Sequence, residues 1–235
     1  MSILRSIVLC SAVVGLIVGV VVSIAQQFGT VPLILHAEVY EEAAEAAAPM
    51  TTATSHEAIG HEQSEAAWEP ANGLERNALT VVINIATSIG YALILTGLFL
   101  LRGRPVGWRE GLLWGLCGFL AVTIAPGLGL SPEPPGVLAA PLLDRQVWWI
   151  GTVLATAAGL ALLAFRPSPW AAAIALALFV VPHLIGAPQL SEQHSNVPEA
   201  LSHQFVVAVT LTSLVSWALL GWLSAVFYRR FDESA

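Results

Sequence analysis

The chain has 235 residues, of which 56% are apolar and only 11% are charged, and its formal net charge is −7. A typical soluble domain has about 25% charged residues, so this composition, with a mean hydropathy of +0.75, argues against a disordered chain or an ordinary soluble enzyme and favours several membrane spans. All nine basic residues are arginines, and so sparse a basic set in an acidic chain excludes a polybasic surface for nucleic acid.

Six runs of the sequence approach or reach the roughly 20 apolar residues that a helix needs to cross a bilayer. None of the six contains Asp, Glu, Lys or Arg. Because lipid offers the backbone no hydrogen-bond partners, we expect these runs to be helices. The fold class is therefore an all-α, polytopic helix bundle of about six transmembrane helices, forming a single integral membrane domain over residues 1–235. The runs are 7–25, 79–101, 111–130, 147–165, 171–187 and 205–227.

The first run has a second interpretation, as a signal peptide. Arg5, the apolar stretch and the small residues Ser23-Ile24-Ala25 resemble a charged start and a cleavage site. The run is longer than the roughly 7–15 apolar residues of most signal peptides. This length favours a retained first span, and cleavage remains the alternative.

Residues 29–78, between the first two runs, form an acidic outer segment. It has nine glutamates and three histidines against one arginine. Mixed carboxylate and imidazole groups suit borderline divalent metals such as Co²⁺, Ni²⁺ and Zn²⁺, whereas copper(I) prefers sulfur ligands. The alternative is a solvated acidic loop. The candidate metal ligands of this segment are His36, Glu38, Glu41, His56, His61, Glu69 and Glu75.

Polar side chains recur at helical spacing inside the second run. Asn84, Thr87, Ser88 and Tyr91 follow at i, i+3, i+4 and i+7, so they form one stripe that should face the bundle interior or a water path. The sixth run has a similar face around Thr210, Ser213 and Trp217. The alternative role for both stripes is hydrogen bonding between helices. Asn84, Ser88 and Tyr91 are the candidates for a path through the bundle.

Small residues predict close contacts between helices. The spacings Gly15-x-x-x-Gly19 and Gly111-x-x-x-Gly115 allow backbones to approach each other. The third run ends in the sequence APGLGL at residues 125–130, which is either an unwound mouth with free carbonyl groups or a rigid loop.

The fifth run, the shortest, contains an ionisable residue. His183 lies between Pro182 and Pro188, which lack an N–H group and therefore interrupt a helix. An ionisable side chain within the membrane is a functional candidate, and a buried neutral histidine bonded to a carbonyl is the alternative. A re-entrant segment is also open for this run. Downstream, His194 and His203 are further candidate metal ligands.

The arginines indicate an orientation. With six spans, only Arg76 and Arg145 lie on one side, and the positive-inside rule places the other seven, with both termini, in the cytoplasm. Thirteen of the sixteen acidic residues and all six histidines then lie outside or near the outer face. The seven cytoplasmic arginines are Arg5, Arg102, Arg104, Arg109, Arg166, Arg229 and Arg230.

Several stretches resemble the CbtA family over nearly the whole chain. They are VPLIL and AEVYE within residues 31–41, WEPANGLER at 68–76, WGLCGF at 114–119, APGLGL at 125–130 and RQVWW at 145–149. The most specific is PHLIGAPQ at 182–189, followed by His194, Val197 and Pro198. Asn72 departs from the aspartate expected there, and the outer segment has only two His-Glu pairs where relatives often have more histidines.

The resemblance implies cobalt uptake by a multi-pass permease subunit of the bacterial inner membrane, supplying cobalt for cobalamin synthesis. It also implies a small single-span partner, CbtB, with a histidine-containing tail, besides the bilayer itself; a homo-oligomer is left open. Co²⁺ would be the transported ion, with no permanent cofactor and no enzymatic activity. The alternatives are a nickel or zinc permease subunit, a membrane metalloenzyme and a structural subunit without transport.

Overall fold

The computed structural model describes residues 3–47, 70, 73–103, 105–190 and 195–233. All regular secondary structure in these ranges is helical, and they contain no strand, as the sequence predicts. Seven helices follow in chain order: α1 Ile3–Phe28, α2 Thr30–Ala47, α3 Leu74–Arg102, α4 Trp108–Gly127, α5 Leu142–Phe165, α6 Pro169–Ile185 and α7 Glu199–Glu233.

Five of these helices, α1, α3, α4, α5 and α7, are long and apolar enough to cross a membrane. The fifth predicted run is the shorter helix α6, whose 17 residues cover about 26 Å at 1.5 Å per residue. Near the start of α5, Trp148 donates from Nε1 to the Pro182 carbonyl near the end of α6, at 3.1 Å. The two helices are therefore antiparallel. The end of α6 lies near the start of α5.

The core of the bundle lies where α1, α3, α4 and α7 meet. Its fully buried side chains include Val14, Phe99 and Leu220. The α5–α6 pair packs beside this core, against the second half of α4. Many large apolar side chains of α5 and α6 are exposed, as expected for helices that face lipid.

Glycines bring two pairs of helices into contact, as their spacing predicts. A Cβ atom added to Gly19 of α1 would lie 2.5 Å from the Ile85 Cα of α3. One added to Gly221 of α7 would lie 2.7 Å from the Gly115 Cα of α4. Van der Waals packing of this kind is a main source of helix association in lipid, so both contacts help to fix the bundle.

The two ends of the bundle differ in charge. Where α3 ends and α4 begins, Arg102 pairs with Glu110 and lies 5.8 Å from the centre of the Trp114 ring. We call this the arginine end; its arginines within the described ranges are Arg5, Arg102, Arg109, Arg166, Arg229 and Arg230. At the opposite, acidic end, the described acidic residues are Glu38, Glu41, Glu42, Glu75, Glu133, Asp144 and Glu199. The separation of most arginines from most acidic residues, which the sequence predicts, is thus present in the described part of the chain.

Helix α4 changes its winding near its end. Over Leu120–Ile124 it is a π-helix, and the Ala125 N–H bonds to the Leu120 carbonyl, five residues back. Pro126, with no N–H to donate, follows inside the helix. The helix therefore continues to Gly127, and a loop over residues 128–141 leads to α5. Of the stretch 125–130, the first three residues are thus helical and the last three begin the loop, where the Leu130 N–H bonds to the Pro126 carbonyl at 2.8 Å. Neither the unwound mouth nor the rigid loop considered from the sequence describes the whole stretch.

Candidate functional site: a polar cavity below the acidic end

A cavity of about 540 Å³ lies in the half of the bundle next to the acidic end. It is an open cavity lined by the end of α1, the start of α2, the first half of α3, the end of α4 with the loop that follows, the start of α5 and the first half of α7. We call it the central cavity. Its polar lining residues are Gln26, Thr30, Asn84, Thr87, Ser88, Tyr91, Thr123, Thr210, Thr212, Ser213 and Ser216.

Both polar stripes predicted from the sequence face this one cavity. Asn84, Ser88 and Tyr91 line it from α3, and Thr210 and Ser213 line it from α7. The structure thus confirms their inward orientation, which the sequence predicted because the 3.6-residue period of a helix places each stripe on a single face. Their role as a transport path stays a prediction.

Side-chain hydrogen bonds tie the walls of the cavity together. Asn84 donates from Nδ2 to Ser23 Oγ at 3.0 Å and to Gln26 Oε1 at 2.7 Å. Thr123 Oγ1 lies 3.4 Å from Ser213 Oγ and joins α4 to α7. Interhelical bonding, the alternative role for the stripes, is therefore also present.

The two hydrogen-bond partners of Asn84, Ser23 and Gln26, were missed by the sequence reasoning; Gln26 lines the cavity, whereas Ser23 is buried. Ser23 was considered only as part of a cleavage site, and Gln26 follows the end of the first apolar run. A polar residue within one turn of a span end was the available signal, but it does not reveal which helix lies opposite. Thr123, a single hydroxyl in an apolar run, gave no signal of its own.

The cavity ends at an aromatic pair in the middle of the bundle. The rings of Tyr91 and Trp217 have centroids 4.6 Å apart, and Trp217 is buried. From Val206 to Trp217, α7 advances eleven residues, or about 16 Å at 1.5 Å each. Beyond the pair, towards the arginine end, the described residues form the packed core around Phe99 and Leu220. The Tyr91–Trp217 pair is thus the floor of the cavity.

The predicted ligands of the acidic segment lie on α2 and at the start of α3. Glu38 forms an ion pair with Arg76 of α3, Nη2 to Oε1, at 2.5 Å. Next to Glu38, Ala37 is buried against Val197 and Leu201. This contact docks α2 on the start of α7. Glu41 faces the loop after α4, where Gly136 takes a left-handed φ of 80°. This docking holds α2 over the acidic end.

The described histidines lie apart from one another. His36 is exposed beside the Tyr40 ring, 5.7 Å between centroids, and His203 is exposed on α7. Half-buried His183 meets the Trp148 ring edge-on, with centroids 5.9 Å apart. It does not line the central cavity. The Trp148 indole bonds to the Pro182 carbonyl near this helix end. The prediction that Pro182 interrupts the helix is wrong, because α6 continues through it to Ile185.

Within the described ranges, no three His, Cys, Asp or Glu side chains come close enough to share a metal ion. Glu75 is exposed at the start of α3. Four of the candidates, His56, His61, Glu69 and His194, lie outside the described residues. The assignment of His36, Glu38, Glu41, Glu75, His183 and His203, together with these four, as metal ligands therefore stays a prediction.

A family model with the description "Probable cobalt transporter subunit (CbtA)" matches residues 4–229 of the chain. No curated protein and no solved structure matches.

Proposed function

This chain belongs to the CbtA family of probable cobalt transporter subunits, and on that basis we propose that it imports Co²⁺ across the bacterial inner membrane as a multi-pass permease subunit. The observation that carries the proposal is the polar central cavity, which lies below the acidic end of a helix bundle. Carboxylates at one end of a polar cavity raise the local concentration of cations at its entrance.

The proposed route begins at the acidic end. Glu38, Glu41 and Glu75 attract the dication, with Glu69 and the histidines of the acidic segment, His36, His56 and His61, as further donors. Glu38 is already paired with Arg76, so an arriving cation competes with a guanidinium for this carboxylate. The imidazoles of His183, His194 and His203 receive the ion before it enters the cavity, where Asn84, Ser88 and Tyr91 line its path.

The membrane potential can drive this movement without ATP. One charge crossing an inside-negative membrane gains about 2.3 kcal/mol per 100 mV, and a dication gains about twice that. The sequence has no Gly-x-x-x-x-Gly-Lys motif, the phosphate-binding loop of many ATPases. Imported cobalt is proposed to supply cobalamin synthesis. The partner is proposed to be a small CbtB-like single-span subunit, since the family description is that of a subunit.

Radiolabelled Co²⁺ uptake tests the proposal directly. Cells that express the full chain with its partner subunit are expected to accumulate more Co²⁺ than cells that express the partner alone. Excess unlabelled Ni²⁺ or Zn²⁺ added as competitor decides between cobalt and the alternative metals. Equal accumulation with and without the chain would overturn the proposal.

His183→Ala is expected to lower Co²⁺ uptake by at least about tenfold. Even the loss of a residue that only orients a metal ligand lowers metal affinity about 10–100-fold. Uptake is normalised to the amount of protein in the membrane. The control is Trp148→Phe, which keeps an aromatic ring beside His183 but removes the hydrogen bond to Pro182. Normal uptake by His183→Ala removes the imidazole from the route. An equal loss in Trp148→Phe assigns the effect to packing.

The proposed orientation has its own test. In a background with Cys10 and Cys117 replaced by serine, Glu199→Cys at the acidic end is expected to react with a membrane-impermeant maleimide added to intact cells. Arg166→Cys at the arginine end should react only after permeabilisation, because the positive-inside rule places that end in the cytoplasm. Both side chains are exposed. The reverse labelling pattern would invert the orientation and the proposed direction of import.

A further inference from the structure

The hydrogen bonds around Asn84 fix which way its amide points. Ser23 Oγ donates its one proton to the Gly19 carbonyl at 2.8 Å, so towards Asn84 it can only accept. Asn84 must therefore present its NH₂ group to Ser23, and the second N–H of that group reaches Gln26 Oε1. The carbonyl oxygen Oδ1 is left, and no donor from the described residues bonds to it. Asn84, which lines the central cavity, thus has a free acceptor oxygen, and two neighbours fix the orientation of its amide.

Thr210, which also lines the cavity, uses its hydroxyl proton in a hydrogen bond within its own helix. Thr210 Oγ1 donates to the Val206 carbonyl at 2.7 Å, so its oxygen faces the cavity as an acceptor. None of the described residues that line the cavity is an Asp, Glu, His, Cys, Met or Arg. The polar part of the lining is uncharged, with acceptor oxygens held in place.

Such a lining is poorly suited to a bare divalent ion. Borderline metals bind imidazole and thiolate well, and a small dication gives up its water reluctantly. Neutral oxygens spread over a wide cavity cannot replace a complete water shell. Six waters at about 30 Å³ each occupy about 180 Å³, which is less than the 540 Å³ available. The cavity therefore has room for an ion that keeps its water.

We propose that the central cavity binds the divalent cation as its hydrated ion, with Asn84 Oδ1 accepting a hydrogen bond from a metal-bound water. Water on a cation is a strong donor because the metal charge polarises its O–H bonds, which matches the free acceptor oxygen of Asn84. Ser23 and Gln26 are positioning residues, which act by holding the Asn84 amide. The inference rests on the proposed function in taking the occupant to be a transported metal ion.

Hexaamminecobalt(III) is the probe for this site. Its six ammonia ligands do not exchange during an experiment, and they present N–H donors in the same octahedral arrangement as a hydrated dication. It is expected to inhibit Co²⁺ uptake by cells that express the full chain with its partner. It is also expected to raise the melting temperature of the purified complex. A site that must remove the water and bind the metal directly would not bind this complex, so neither uptake nor melting temperature would change.

Asn84→Leu removes the acceptor at similar size. It is expected to weaken both effects of hexaamminecobalt(III) by about tenfold or more, the scale of a lost hydrogen bond to a charged group. Ser23→Ala should weaken them in the same direction by freeing the amide, and Ser23→Thr, which keeps the hydroxyl, should restore them. The matched control is Ser11→Ala. It removes another α1–α3 hydroxyl contact, to Thr96 at 3.0 Å, outside the cavity, and should leave both effects unchanged.

The outcomes separate this inference from the proposed function. If Co²⁺ uptake is present but hexaamminecobalt(III) neither inhibits it nor stabilises the complex, the hydrated-ion site is wrong and import stands. If the complex is stabilised in an Asn84-dependent way but no Co²⁺ is imported, the site stands and the proposed function fails. Equal inhibition of wild type and Asn84→Leu would overturn the role of Asn84.

Discussion

Gly115→Leu and Gly221→Leu are each expected to remove most of the folded protein from the membrane. The two glycines face each other between α4 and α7, and a side chain at Gly115 would overlap the Trp217 carbonyl oxygen, which is backbone and cannot rotate away. Extra atoms in a packed core usually cost about 1–3 kcal/mol, and a clash with backbone should reach at least about 3 kcal/mol. Thermal unfolding of the detergent-purified protein, together with its amount in the membrane, measures the loss.

Gly151→Leu on α5 is the matched control for these two variants. A Cβ at Gly151 meets nothing within 4 Å, and the residue is exposed. The same enlargement there should leave stability unchanged or raise it slightly, because glycine is a poor helix former. If Gly115→Leu were as stable as Gly151→Leu, the α4–α7 contact would not be the one described.

The helices and their inward faces could be predicted because they depend on local pattern. A run such as 79–101 must be helical in lipid, and the spacing of Asn84, Ser88 and Tyr91 alone places them on one face. The glycine spacing likewise predicts close packing. These predictions need no knowledge of the neighbouring helices.

What lies opposite each face could not be predicted. The meeting of the α3 stripe with Ser23 and Gln26 depends on the register between α1 and α3, which is set by the contact of Gly15 and Gly19 with α3. Register arises from packing between elements far apart in sequence, and a single sequence carries no direct signal of it. The same holds for α2, whose acidic composition resembled a loop, although Ala37 docks it on α7.

The proline in α4 shows how a local rule can fail in detail. The stretch that contains Pro126, residues 125–130, was expected to be either an unwound mouth or a rigid loop. In the structure the preceding turn widens into a π-helix, so the missing N–H is accommodated within a continuing helix. Single π turns occur often at functional sites, and this one contributes Val122, Thr123 and Ile124 to the cavity wall.

The closed floor of the cavity has a functional consequence. An ion that enters from the acidic end meets the Tyr91–Trp217 pair, and the packed core follows. On the proposed import route, passage requires these rings to move apart or helices α3 and α7 to shift. Trp217 is also the closest neighbour of Gly118, whose missing side chain leaves space for the indole. The pair is well placed to control passage between the two halves of the bundle.

Trp217→Ala is expected to weaken this control, so that Ni²⁺ and Zn²⁺ enter along with Co²⁺. The indole fills the floor, and its removal leaves a gap that water can occupy beside the polar groups Tyr91 and Ser213. Removing a core tryptophan costs about 3–5 kcal/mol, so uptake of each metal is compared per amount of protein in the membrane. The readout is the ratio of Ni²⁺ and Zn²⁺ uptake to Co²⁺ uptake, which a loss of protein does not change.

Trp149→Ala is the control for the floor, since Trp149 also lines the cavity but lies on its α5 wall and is 36% exposed. It should leave the ratio at the wild-type value, because the floor stays intact. A ratio that rises in Trp217→Ala alone assigns metal discrimination to the Tyr91–Trp217 pair. If Trp217→Ala is present in the membrane at the wild-type level with an unchanged ratio, discrimination takes place before the cavity, at the carboxylates and imidazoles of the acidic end.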